Sequence, residues 1–204
     1  MYLVKGDPVK ERRDRIKGNM TPEQKKAYEL LYANDDLGFI IQKRTRREKN
    51  VGDVFVCSVH DGVYYYGKIL KVGVEHERLI PSEGCLLVCI YRECTNKKTL
   101  DDFKGDANDL MFSPKIVYPQ YWSNGYFETI GNVPLTKAEK ELDYGFWEQK
   151  ILKEEGCFVK EDGTCLDHKP KYFDIFGTSL YLGIYREIKK AIIIDPSLAS
   201  VKNN

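Results

Sequence analysis

The amino-acid sequence predicts an α+β fold, mostly antiparallel β, with a helical arm at the N-terminus and a helix in the tail. Three observations carry that expectation. Residues 51–70 (VGDVFVCSVHDGVYYYGKIL) contain two strand-like runs joined by Asp61-Gly62, a dipeptide whose backbone preferences suit a tight hairpin turn. Residues 86–91 (LLVCIY) are apolar without interruption, the pattern of an interior strand covered on both faces. Fourteen Tyr against two Trp favour pleated, half-buried surfaces, where a ring packs while its hydroxyl finds a partner. With 42% hydrophobic and 12% aromatic residues, a chain of 204 residues can bury a sizeable core.

Taken in order, residues 1–20 are highly charged and weakly periodic, so KERRDRIK either extends a helix or frays. The first well-signalled element starts at Thr21-Pro22-Glu23-Gln24. Thr21 is suited to the N-cap, Pro22 to the first helical position, and Gln24 completes a capping box. Tyr28, Leu31 and Tyr32 form its apolar face, and Gly38 follows its end. Phe39, Ile40 and Ile41 read as a short strand or a packing segment, and residues 43–49 (KRTRREK) as a solvated linker. Residues 1–48 are therefore expected to form a basic helical extension ahead of a β-rich domain of residues 49–204.

In that domain the hairpin comes first, and Gly67 inside its return strand signals a bulge or a close backbone approach. Residues 95–111 are polar and rich in Asp, a loop with a short helix near residues 100–103. Ile116, Val117 and Tyr118 form a short strand that the flanking Pro114 and Pro119 restrict. Residues 126–130 alternate as a strand ending at Gly131-Asn132, and Thr136 caps a short helix. Glu161-Asp162-Gly163 marks a turn. In the tail, Leu180, Ile184 and Ile188 share a helical face, although Gly183 and the β-branched residues leave a strand open. The whole is expected to be a strongly bent sheet or a partial SH3-like barrel.

Charge is uneven beneath a formal net of +1: residues 1–50 carry 13 Lys/Arg and 8 Asp/Glu, and residues 51–204 carry 19 and 23. No apolar run is long enough for a signal peptide or a membrane span, so a cytoplasmic location is expected. The six cysteines then read as reduced thiols, with Cys57, Cys85 and Cys89 inside apolar strands as small buried hydrophobes. Neither their spacing nor the scattered His60, His76 and His168 makes a metal site, and no cofactor is expected. No nucleophile elbow, phosphate-binding loop or H-E-x-x-H motif occurs, and paired carboxylates such as Asp101 and Asp102 lie in polar runs. An enzyme is not expected. The hairpin alone also suits a small nucleic-acid- or peptide-binding barrel of the SH3 or Tudor kind presenting Tyr64, Tyr65 and Tyr66, but the acidic body argues against nucleic acid.

Two segments in this order, VGDVFVCSVHDGVYYYGKIL from Val51 and WSNGYFETIGNVPLTKAEKELDYGFW from Trp122 to Trp147, resemble the immunity protein 26 family of bacterial polymorphic toxin systems. The resemblance implies a mostly β, cytosolic, non-enzymatic protein that binds and blocks a toxin encoded beside it, often a nuclease. It implies no contact residues. From the residues themselves, the densest acidic stretch, Asp101, Asp102, Asp106 and Asp109, is the expected partner surface, with Tyr64 and Tyr66 as anchors. Glu154, Glu155, Glu161 and Asp162 form a second acidic stretch. Oligomeric state is not legible.

Overall fold

A computed structural model of the chain describes residues 2–149 and 155–201. Its elements are strand β1 (Leu3–Lys5), helices α1 (Pro8–Gly18) and α2 (Pro22–Ala33), and strands β2 (Asp53–His60), β3 (Val63–Val74), β4 (Cys85–Thr95) and β5 (Lys115–Val117). Helix α3 (Gln120–Ser123), strand β6 (Glu128–Asn132), helix α4 (Lys137–Lys140) and strands β7 (Tyr144–Gln149), β8 (Glu155–Val159) and β9 (Tyr172–Ile175) follow. Helix α5 (Tyr181–Ile194) and a 3-10 turn (Pro196–Ala199) come last among the described residues.

The strands form two open sheets. One is antiparallel throughout, in the order β5-β4-β3-β2-β6, and the second runs β1-β8-β7-β9 with β7 and β9 parallel. The α+β class with predominantly antiparallel pairing and helices at both ends is as the sequence predicts. The β-structure is divided between two sheets, neither of them closed into a barrel.

Side-chain alternation explains the stacking. On β2, Phe55, Cys57 and Val59 point to one face, where Tyr65, Ile69, Val88 and Ile90 meet Ile184, Ile188 and Ala191 of α5. Val54 and Val56 point to the other, joining Tyr66, Leu87, Cys89 and Tyr91 against Phe146, Cys157 and Val159 of the second sheet. The outer face of that sheet packs Trp147, Phe158 and Phe173 on Val9 of α1. The layers therefore run α5, five-stranded sheet, four-stranded sheet, α1. Covered on both faces, β2 to β4 need apolar residues at nearly every position, which is why residues 86–91 lack alternation.

Local chemistry fixes the element ends. Thr21 and Gln24 form the capping box of α2 reciprocally, at 3.2 and 2.9 Å. Thr136 and Glu139 do the same for α4. Gly67 is a close approach: a Cβ there would lie 2.3 Å from Phe55 Cζ and 2.9 Å from the Cys89 carbonyl oxygen. Phe39 is a packing residue outside any strand, stacked on Tyr126 at 5.2 Å. The tail apolar stretch is helical, with Ile184 and Ile188 fully buried.

Three local expectations are corrected. Residues 100–103 make a single turn, Phe103 N to Leu100 O at 3.0 Å, rather than a helix. The strand expected from residue 126 starts at Glu128, because the N–H groups of Tyr126 and Phe127 both donate to Tyr121 O. The basic N-terminal residues are not all helical: β1 pairs with β8 through Leu3 and Cys157, and α2 is tied to α5 by Gln24 Nε2 donating to Ile193 O at 2.9 Å.

Candidate protein-binding surface

The acidic stretch is a loop between β4 and β5, and its shape follows from a few apolar pegs. Phe103 packs on Tyr66 and Tyr91, with ring centroids 5.1 and 5.5 Å apart. Leu100 fills the space that the missing side chain of Gly131 leaves, and Ala107 and Leu110 are buried. Gly105 turns the chain at φ +65°, where a Cβ would lie 2.7 Å from Phe103 Cζ.

Polar groups complete the fixing. The Glu93 carboxylate accepts from Lys104 N at 2.9 Å and Gly105 N at 3.1 Å. Asp106 Oδ1 accepts from Asn108 N at 2.8 Å, a local turn. Tyr66 OH donates to Thr99 O, and Tyr172 OH to Asn108 O at 3.0 Å. Arg92 N bonds the Asp109 carbonyl, and Met111 N the Ile90 carbonyl.

With its backbone held from below, the loop turns Asp101, Asp102, Asp106 and Asp109 outward, all exposed. Among the described residues Asp109 is the one engaged by a cation, Arg92 Nε at 3.5 Å, and Arg92 also meets Asp195. The two tyrosines expected as anchors divide. Tyr64 is half-buried, with Lys98 Nζ 5.3 Å from its ring centre. Tyr66 is fully buried, and burial pushes its hydroxyl pKa up, so it supports the loop from beneath and has no exposed surface to offer.

In the second acidic stretch Asp162 is exposed and Glu155 half-buried, whereas Glu161 is turned inward. Glu154 lies outside the described residues. Glu161 is buried, bonded by Lys71 Nζ at 2.5 Å and by Tyr144 OH at 2.6 Å. Burial alone would raise its carboxyl pKa, but those bonds outweigh it and hold the pKa below the usual range. The sequence shows a charge run there; only the tertiary contacts turn it into an internal ion pair.

One constellation has the residue types of acid–base chemistry: Lys68 Nζ lies 3.0 and 2.8 Å from the two Glu139 oxygens, and Tyr91 OH donates to the same carboxylate at 2.5 Å. Lys68 and Glu139 are each 1% exposed and sealed between the sheets, so no substrate reaches them. Sequence reasoning missed this cluster because its members are far apart in the chain and unremarkable in spacing. Among the described residues, no three His, Cys, Asp or Glu side chains gather to hold a metal ion, and no helix is long and apolar enough to cross a membrane. Tyr65 is as buried as Tyr66 and donates to Leu198 O at 2.7 Å, so two of the three hairpin tyrosines cannot stack on a base.

The chain matches the family model described as Immunity protein 26 over residues 50–157, just over half of its length. The match runs from the turn before β2 into β8 and takes in the acidic loop, with α1, α2 and α5 outside it. No curated protein and no solved structure matches the chain.

Proposed function

The chain belongs to the immunity protein 26 family, and we propose that it neutralises a cognate bacterial toxin, a nuclease, by binding it directly in the cytoplasm without catalysis of its own. The observation that supports this most is the loop of residues 101–109: four exposed carboxylates on a backbone already fixed by Phe103, Glu93 and Tyr66. A surface ordered before binding loses little conformational freedom on association. Nucleases bind polyanions through basic clefts, so an acidic surface complements them and accelerates encounter. Tyr64, at the edge of the same face, supplies aromatic contact area.

The test is co-expression with the toxin-like gene beside this one. Rescue of growth together with a co-purifying complex is the expected result. Reversing Asp101 and Asp102 to Lys should then slow association by roughly tenfold at low salt, while the unaltered protein's on-rate falls as ionic strength rises. Growth that does not depend on this protein, or no complex at micromolar concentrations, refutes the proposal.

A further inference from the structure

The turn that follows β8 brings two thiols into contact. Cys157 on β8 and Cys165 beyond the turn are eight positions apart, and their Sγ atoms lie 3.6 Å from each other. Backbone pairing arranges this. Lys160 N donates to Thr164 O at 2.8 Å, Gly163 N to Lys160 O at 3.0 Å, and Leu166 N to Phe158 O at 2.7 Å. Val159 therefore stands opposite Cys165. Side chains two residues apart on a strand share a face, so Cys157 and Cys165 are diagonal neighbours across this small ladder. Cys157 is buried between the sheets, whereas Cys165 is exposed. The other four thiols each donate to a backbone carbonyl: Cys57 to Tyr65 O, Cys85 to Pro81 O, Cys89 to Lys68 O and Cys94 to Ser200 O.

One accessible thiol touching one sealed thiol is the arrangement that thiol–disulfide exchange uses. The accessible thiolate attacks a disulfide from solution, and a second thiol close by displaces the group it has taken up. The second thiol needs no opening to solvent, because its target arrives on its neighbour. The two sulfurs need to close by roughly 1.6 Å to bond, and Cys165 is the member with room to turn. The loop between them also joins the two sheets. Its buried Glu161 accepts from Lys71 Nζ of β3 at 2.5 Å and from Tyr144 OH of β7 at 2.6 Å. Just beyond it, Leu166 O accepts from Tyr2 N at 3.0 Å, where the chain enters β1.

We propose that Cys157 and Cys165 are a redox modification site: a small-molecule disulfide oxidises them to an intramolecular disulfide that fastens the turn bearing Glu161 onto β8. The Cys165 thiolate attacks one sulfur of the small disulfide, whose S–S bond breaks, and one small thiolate leaves. The Cys157 thiolate then attacks Cys165 Sγ of the mixed disulfide and expels the second. In sum the two protein thiols give up two electrons and two protons, and one small disulfide becomes two small thiols. The site stands apart from toxin binding and does not depend on it.

The probes are an aromatic disulfide reagent and, separately, oxidised glutathione, each added in excess to the native full chain. Products are read by mass after tryptic digestion; cleavage at Lys160, between the two cysteines, leaves a bridge as two linked peptides. With either probe the unaltered protein should give the Cys157–Cys165 bridge and keep no reagent on Cys165. Cys157→Ala should retain the reagent on Cys165, and Cys165→Ser should leave Cys157 unmodified until the protein is unfolded. Bridging should raise Tm by roughly 3–10 °C through loop closure and slow amide exchange at residues 158–166. If either probe stays on Cys165 of the unaltered protein with Cys157 still reduced, or neither reacts, the site is overturned. A bridge that leaves Tm and exchange unchanged overturns the fastening of the turn.

Discussion

Replacing Glu139 by Gln tests whether the buried Lys68–Glu139–Tyr91 cluster holds the two sheets and the acidic loop in place. Lys68 Nζ touches both carboxylate oxygens at 3.0 and 2.8 Å and the Pro134 carbonyl at 3.2 Å, with 1% of either side chain exposed. Gln keeps one oxygen and so retains a bond from Tyr91 OH or Thr136 N, which donate at 2.5 and 2.7 Å. It removes the negative charge, leaving an ammonium in an apolar layer. Breaking a buried pair in this way costs about 3–5 kcal/mol, or a fall in Tm of roughly 6–20 °C for a chain of this size. The double variant Lys68→Met, Glu139→Gln should recover most of that loss, since no charge is left unpaired.

Lys68 Nζ also lies 5.8 Å from the centre of the Phe103 ring, so amide exchange in the loop of residues 99–110 should quicken in the single variant. The pH dependence has a definite sign. Burial raises the Glu139 pKa, but bonds from Lys68, Tyr91 and Thr136 hold it below its ordinary value of 4.5. Its contribution is therefore present above pH 4.5 and lost as pH falls through the lower folded value. Urea unfolding of the three proteins from pH 7 to pH 3 measures this. A single variant within about 1 kcal/mol of the parent, or a double variant no more stable than the single, refutes the assignment.

Gly67→Ala should destabilise by about 2–3 kcal/mol in the same urea assay, because the new Cβ meets Phe55 Cζ at 2.3 Å and a backbone oxygen at 2.9 Å in a packed layer. An aromatic disulfide reagent should label the exposed Cys165 first and reach Cys57 and Cys89 only on unfolding. Both are buried, and burial pushes the Cys89 thiol up to about 12. His168 bonds Asp167 at 2.8 Å and Asp143 at 2.9 Å, which raise its pKa above 6.5. The contribution of this clamp should be complete below pH 6.5 and fade as pH rises through the folded value; an NMR titration of the ring that shows a midpoint at or below 6.5 refutes it.

How much was legible follows the range of the forces. The capping boxes at Thr21 and Thr136 and the hairpin at Asp61-Gly62 are contacts between residues within a few positions, and each appears where the residues indicate. The uninterrupted apolar run of residues 86–91 reported a strand covered on both faces, because every side chain of such a strand must leave water. The four acidic residues of the loop stand exposed as their solvation demands.

What covers β4 was not in its sequence. The second sheet is assembled from β1, β7, β8 and β9: β7 and β8 are consecutive and antiparallel but joined without a Gly- or Asn-type turn dipeptide, β1 reaches β8 from the other end of the chain, and β9 runs parallel to β7. Tyr64 and Tyr66 are the same residue type two positions apart. One stands at the rim and the other is sealed under Phe103, a difference decided by what packs across β3. Glu161 and Asp102 likewise read alike as carboxylates in polar runs, and only the arrival of Lys71 and Tyr144 makes one internal. The sequence by itself determined the local geometry and which residues seek water or avoid it. The tertiary structure decided which charges are paired and which surface remains, because desolvation and pairing depend on neighbours that the chain brings together only when folded.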